Sequence, residues 1–98
     1  MTITKKENGT ELVVALEGRL DATTAHELKE ALNDSLDAAE SLVLDLGGLE
    51  YISSAGLRLL LMAHTTMSEK GGMKLINVGG AVEDVLGVTG FADILNIE

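Results

Sequence analysis

The sequence predicts an α/β fold: an opening β-hairpin, then alternating strands and helices that build a mixed, mainly parallel sheet with helices packed against it. Three observations predict it. A two-residue turn signal, Asn8-Gly9, separates two short runs of strand character. Beyond it, apolar residues recur at helical spacing and in unbroken β-rich runs, and the two patterns alternate along the chain. Glycine does all the punctuation, because there are 11 glycines and no proline. Strands separated by helices need crossovers and therefore pair in parallel. A chain of 98 residues is expected to form one domain, residues 1–98.

Residues Thr2 to Lys6 alternate weakly and lead into Asn8-Gly9. Glu11 to Glu17 carries Leu12, Val13, Val14 and Leu16, a run of high β propensity that Gly18 should end. Asp21 is a good N-cap for a helix from Ala22 to Ala38. On that helix Ala25, Leu28, Ala31, Leu32, Ser35 and Leu36 keep a three-to-four spacing, with Glu27, Lys29, Glu30, Asn33, Asp34 and Asp37 on the other side. Ser41 to Leu46 is apolar at consecutive positions, the pattern of an interior strand covered on both faces, and Gly47-Gly48 should break it. A second helix is predicted from about Ala55 to Lys70, with Gly71-Gly72 at its C-cap. Then come a strand from Met73 to Val78, the Gly79-Gly80 turn, a short helix from Ala81 to about Leu86, and a last small strand within Ile94 to Ile97.

Composition narrows the function. The net charge of −9 opposes binding to phosphate backbones and anionic membranes, and two aromatic residues cannot make a base-stacking surface. No nucleic acid and no direct membrane binding are expected, and a partner protein with a basic contact surface fits better. With no cysteine there is neither a disulfide framework nor a thiolate metal site, and two histidines on separate elements give no ligand spacing, so neither metal nor cofactor is predicted. No apolar run reaches the roughly 18 residues of a membrane span and no signal peptide is visible, which points to the cytoplasm.

The chemistry-bearing stretch is Tyr51-Ile52-Ser53-Ser54-Ala55-Gly56-Leu57, where two serines stand at the start of the second helix. A serine there can cap the helix, or it can present its hydroxyl with a helix N-terminus behind it to stabilise added negative charge. At 100° per residue, Leu57, Leu60, Leu61, His64 and Met67 fall on one arc, which should face the sheet. Arg58, Thr65, Thr66 and Glu69 fall opposite. Leu59 and Met62 fall with this polar set, which marks them as a contact patch for a partner. His64 reads as a hydrogen-bonded core or boundary residue and His26 as a surface one.

Other chemistries fit less well. A nucleophile elbow needs Gly-x-Ser-x-Gly and an activating base, and neither is present. Asp21 and Asp45 could meet at the carboxyl edge of a parallel sheet, but the lysine of a phosphoryl-accepting site is missing. Gly79-Gly80 lacks the rest of a P-loop.

Three blocks carry a family resemblance: Gly18-Arg19-Leu20-Asp21-Ala22-Thr23-Thr24-Ala25, Leu42-Val43-Leu44-Asp45-Leu46, and Leu49-Glu50-Tyr51-Ile52-Ser53-Ser54-Ala55-Gly56-Leu57-Arg58. Through them nearly the whole chain resembles a STAS domain, and within that family the single-domain bacterial anti-sigma factor antagonists. The resemblance implies a protein that is not an enzyme but a switch. The serine two positions before the Gly-Leu pair, here Ser54 with Ser53 as the alternative, is phosphorylated by an anti-sigma factor that is also a serine kinase. The unphosphorylated form binds that partner and releases a sigma factor, and a serine phosphatase resets the cycle. Asp21, Thr24 and Asp45 match positions that the family keeps near this serine. The implied partner surface spans Asp21, Thr23, Thr24, Asp45, Ser53, Ser54, Gly56, Leu57, Arg58, Leu59 and Met62. Many antagonists have aspartate where this chain has Ser53, and many add a helix after the last strand, where this sequence stops at Glu98. A short domain or a shortened chain is expected.

Phosphate adds about −1.5 to −2 charge. A helix N-terminus tolerates it, whereas an interface packed with Leu57, Leu59 and Met62 would have to desolvate it. Electrostatic exclusion rather than refolding is the expected mechanism. Two alternative functions share the sequence evidence: a STAS subunit of a lipid-transport or stress-sensing complex, and a small nucleotide-binding protein using Ser54, Asp21 and Asp45.

Overall fold

A computed structural model describes all 98 residues. Its elements are β1 (Thr2–Asn8), β2 (Glu11–Leu20), α1 (Ala22–Ala38), β3 (Ser41–Ile52), α2 (Ser54–Ser68), β4 (Met73–Ile76), α3 (Gly80–Thr89) and a 3-10 turn (Phe91–Asp93). The sheet has the order β1-β2-β3-β4, antiparallel at the opening pair and parallel elsewhere, as the alternation of patterns predicts. Asn8 pairs with Glu11, so the hairpin turns on Gly9-Thr10, one residue later than predicted, with Gly9 at φ +66°.

Two strands are longer than predicted. β2 runs through Gly18 to Leu20, and β3 runs through Gly47-Gly48 to Ile52. The glycines mark irregular pairing rather than strand ends: the register between β2 and β3 shifts between Ala15 and Glu17 and again between Gly18 and Arg19. At Gly48 a Cβ would lie 2.6 Å from Glu17 Cγ, so only a residue without a side chain lets the two strands approach there.

The core lies on one face of the sheet. Leu12, Val14 and Leu16 of β2 and Leu42, Leu44 and Leu46 of β3 belong to a single cluster, together with the buried apolar side chains of all three helices. Val43 is also buried but stands outside that cluster, between Val13 and Lys74 in register. The consecutive apolar run of β3 is therefore not covered by helices on both faces. Burying a leucine stabilises by about 1.5–3 kcal/mol, so the strand is anchored from one side alone.

Lys70 binds the ends of α1 and α2 together. Its Nζ donates to the carbonyls of Leu36 (2.6 Å), Asp37 (3.0 Å) and Ala39 (3.0 Å), groups at the end of α1 that lack intrahelical partners. Beside it, the Gly71 N–H donates to the Glu40 carbonyl. β4 is shorter than predicted and α3 longer, the latter stopped by Gly90 at φ +82°. The predicted last strand reduces to the 3-10 turn and one parallel bridge, Leu75 to Ile97, in which the Leu75 N–H donates to the Asn96 carbonyl. No helix is long and apolar enough to cross a membrane.

Candidate functional site

The site is built where β2 and β3 end together. Leu20 lies opposite Ile52, and the Ser53 N–H donates to the Leu20 carbonyl at 2.8 Å. This register sets Asp21 and Ser53 side by side, and each residue is the N-cap of the helix that follows it.

Asp21 is in an extended conformation, and its Oδ1 accepts from the backbone N–H groups of Thr23 (3.1 Å) and Thr24 (3.0 Å). The Thr24 hydroxyl oxygen accepts from the Asp21 N–H at 2.8 Å, which closes a reciprocal capping box. These contacts hold the Asp21 carboxyl below its ordinary range. The Thr24 backbone N–H acts most strongly; the Thr24 side chain, the Thr23 N–H and the Arg19 charge add to it against a desolvation that pushes the other way.

The two serines divide their labour. Ser53 Oγ accepts from the Gly56 N–H at 3.2 Å and makes the cap. Ser54 is the first residue of α2, and its hydroxyl is exposed and makes no hydrogen bond. Behind them α2 presses on the strand ends, since a Cβ at Gly56 would lie 2.8 Å from Leu20 Cγ and 2.9 Å from Ile52 Cγ1. Leu57 is buried and serves this packing.

The outer surface differs from the helical projection. Leu59 is 7% exposed, because α2 sits in the corner between the sheet and α1 and buries a wider arc than one neighbour would cover. It lines a groove between the helices with Ala25, His26, Lys29, Ala55, Arg58 and Met62. Met62 is 41% exposed. Leu61, predicted to face the sheet, is half-buried on the outer side beside Arg58 and Thr65. His64 is half-buried, and its Nδ1 has no hydrogen-bond partner, contrary to the hydrogen-bonded reading. His26 pairs at the surface with Glu30 at 3.3 Å.

Asp45 does not join the serine turn. Because β3 continues past Gly47-Gly48, Asp45 lies opposite Ala15 of β2 while Ile52 lies opposite Leu20, five residues or about 17 Å farther along that strand. Its Oδ1 accepts from the Gly47 N–H and from Asn77 Nδ2, each at 3.0 Å, and ties the bend in β3 to the end of β4. Asp21, Thr23, Thr24, Ser53 and Ser54 are brought together; Asp45 is not.

Sequence reasoning missed the Arg19–Tyr51 pair, in which the guanidinium lies 4.2 Å from the ring centroid. These residues face each other only because of the shifted register between β2 and β3, which no local pattern announces. No group of three or more His, Asp or Glu residues is placed to hold a metal ion, and neither serine is hydrogen-bonded to a histidine.

A family model described as "Mlab, STAS domain" matches residues 3–96. The chain belongs to the STAS family. BtrV of Bordetella bronchiseptica, which bears the name of an anti-sigma factor antagonist, is 36% identical over 88 residues, covering 88% of this chain and 76% of its own. An anti-sigma factor antagonist from Mycobacterium paratuberculosis superposes with a TM-score of 0.89 at 25% identity, covering 98% of this chain and 83% of that one. SpoIIAA is similar in fold in both of its solved forms. The unphosphorylated form has a TM-score of 0.84 at 17% identity, covering 99% of this chain and 88% of that one; the phosphorylated form has 0.77 at 16%, covering 99% and 91%.

Within this STAS chain the Asp21 box has a measurable signature. A carboxyl held low in the folded state contributes stability that is present above its unfolded value, near 4, and lost as pH falls through the lower folded value. Asp21→Asn keeps a capping side chain but has no charge to titrate. On acidification from pH ~5 to pH ~2, the parent should lose more thermal stability than Asp21→Asn, as read by circular dichroism melts. Equal losses would show that the box adds nothing to the acid limb.

Proposed function

We propose that this STAS protein is an anti-sigma factor antagonist acting in the cytoplasm, and that phosphorylation of Ser54 switches off its binding to the anti-sigma factor. The observation that carries the reading is the division between the serines: Ser53 is committed to the cap, and Ser54 offers a free, exposed hydroxyl one residue later. The 36% identical relative named an anti-sigma factor antagonist supports the partner class.

In this reading the anti-sigma factor is also the kinase. The γ-phosphoryl group passes from ATP to Ser54 Oγ, the hydroxyl proton leaves to a base on the kinase, and ADP departs. A phosphatase hydrolyses the ester and returns serine and inorganic phosphate. The docking surface comprises the strand-end caps Asp21, Thr23, Thr24 and Ser53, together with Arg58 and Met62 on α2. A phosphate at its centre meets the helix N-terminus on its own side, where it is tolerated, and a desolvated contact on the partner's side, where it is not.

Incubation with the anti-sigma factor and ATP, followed by mass mapping, should place one phosphate on Ser54. Ser53→Ala should still be labelled, with a loss of about 1 kcal/mol of stability from the missing cap, and Ser54→Ala should not. Label on Ser53, or none, would overturn the reading. A second reading, an unswitched STAS subunit of a larger assembly, draws on the matching family model, whose description names Mlab beside STAS domain. It predicts stable co-purification with the other subunits and no label.

A further inference from the structure

Phosphate on Ser54 would add negative charge to a chain already at −9, so the nearest free cation decides how that charge is held. Several basic residues are committed elsewhere. Lys5 donates to the Ala31 carbonyl and the Ser35 hydroxyl, Lys70 donates to three carbonyls, and Arg19 lies over the Tyr51 ring. Arg58 is exposed and makes neither a side-chain hydrogen bond nor an ion pair. It follows Ser54 by four residues on α2, so the two side chains stand on one face a single turn apart. An anion at the earlier position and a cation four residues later is also the favourable order for such a pair.

We propose that Arg58 is the residue that holds the phosphate on Ser54, a role that rests on the phosphorylation reading above. In the unmodified protein its guanidinium is free at the rim of the groove between α1 and α2, beside Met62. Once Ser54 is phosphorylated, the guanidinium turns back along the helix and its planar fork pairs with two phosphate oxygens. One modification then changes two parts of the docking surface. The serine turn gains negative charge, and the groove loses a cation from its rim, which leaves Lys29 and the Glu30-paired His26 there. The backbone of α2 does not have to move.

The test uses the full chain with phosphoserine genetically encoded at position 54, so it does not depend on any kinase. The second ionisation of the phosphate is followed by phosphorus NMR against pH. Pairing with Arg58 favours the dianion, so Arg58→Ala should raise that pKa by about 0.2–0.4 unit, with Arg58→Lys raising it less. Arg19→Ala should raise it less than Arg58→Ala does, because Arg19 acts on the neighbouring Asp21 from its place over the Tyr51 ring. Added salt should shrink the difference between the parent and Arg58→Ala. An Arg58→Ala titration that matches the parent would overturn the proposal, and so would a shift with Arg19→Ala as large or larger. Failure here is distinct from failure of the switch itself, which would show as an unlabelled Ser54 in the mass map.

Discussion

Ser54→Asp is expected to weaken binding to the anti-sigma factor by about 30- to 1,000-fold, which corresponds to roughly 2–4 kcal/mol, while leaving the melting temperature within a few degrees of the parent. The two halves of this result have different causes. Within the protein, residue 54 is the first residue of α2, where a carboxylate is favoured by about 0.3–1 kcal/mol through the helix dipole. Ser53 keeps the cap in the variant, since its Oγ bond to the Gly56 N–H does not involve residue 54. Across the proposed interface, the new charge would have to lose its water where the parent presents a neutral hydroxyl. Ser54→Ala removes the hydroxyl without adding charge and should bind close to the parent level. Isothermal titration of the three proteins against the same partner decides it. If Ser54→Asp bound as tightly as Ser54→Ala, charge exclusion could not be the switch.

Gly56→Val should have the largest effect on stability, on the order of 3 kcal/mol, or roughly 12–24 °C in melting temperature for a domain of this size. Helix propensity alone argues the other way, because glycine inside a helix costs about 1 kcal/mol relative to alanine. Steric contact decides the sign. The first carbon of any side chain would already lie 2.8 Å from Leu20 Cγ and 2.9 Å from Ile52 Cγ1, and valine adds two branches beyond it. Leu20 and Ile52 are the fully or nearly buried last residues of β2 and β3, so neither can step aside without opening the core. The start of α2 must then lift from the strand ends, and it carries Ser53 and Ser54 with it. Loss of partner binding should accompany the thermal loss even though both serines are intact. A melt within a few degrees of the parent would mean that the helix is held far more loosely than this contact implies.

The fold class could be read from the sequence because each element obeys a local rule. Asp21 announced α1 through cap chemistry, and the bounds Ala22–Ala38 follow from it. What escaped was whatever depends on a neighbour distant in sequence. Gly18 and Gly47-Gly48 look like strand ends in isolation; they become bulge residues only once Glu17 is known to pass close by Gly48. Leu59 projects with the polar residues of α2, but the projection allows for the sheet and not for α1 lying alongside. The family resemblance, and a strand expected to end near Leu46, group Asp45 with the serine turn; β3 instead continues to Ile52 and separates them. Ser53 and Ser54 could not be told apart by residue type alone, since the distinction is which of the two hydroxyls the Gly56 N–H reaches.

The two margins of the sheet set a limit on how this protein meets others. β1 lies at one margin and presents Thr4, Lys5, Lys6 and Glu7, with nearly every residue exposed. Charged margins of this kind discourage a foreign strand from annealing. At the opposite margin, the groups of Leu75 on β4 are already engaged by Asn96 and Glu98. A partner that joined by backbone pairing would be held by a ladder of bonds that a single phosphate could not undo. One that rests on side chains from helices and turns can be dismissed by altering one of them, which makes repeated exchange between partners feasible.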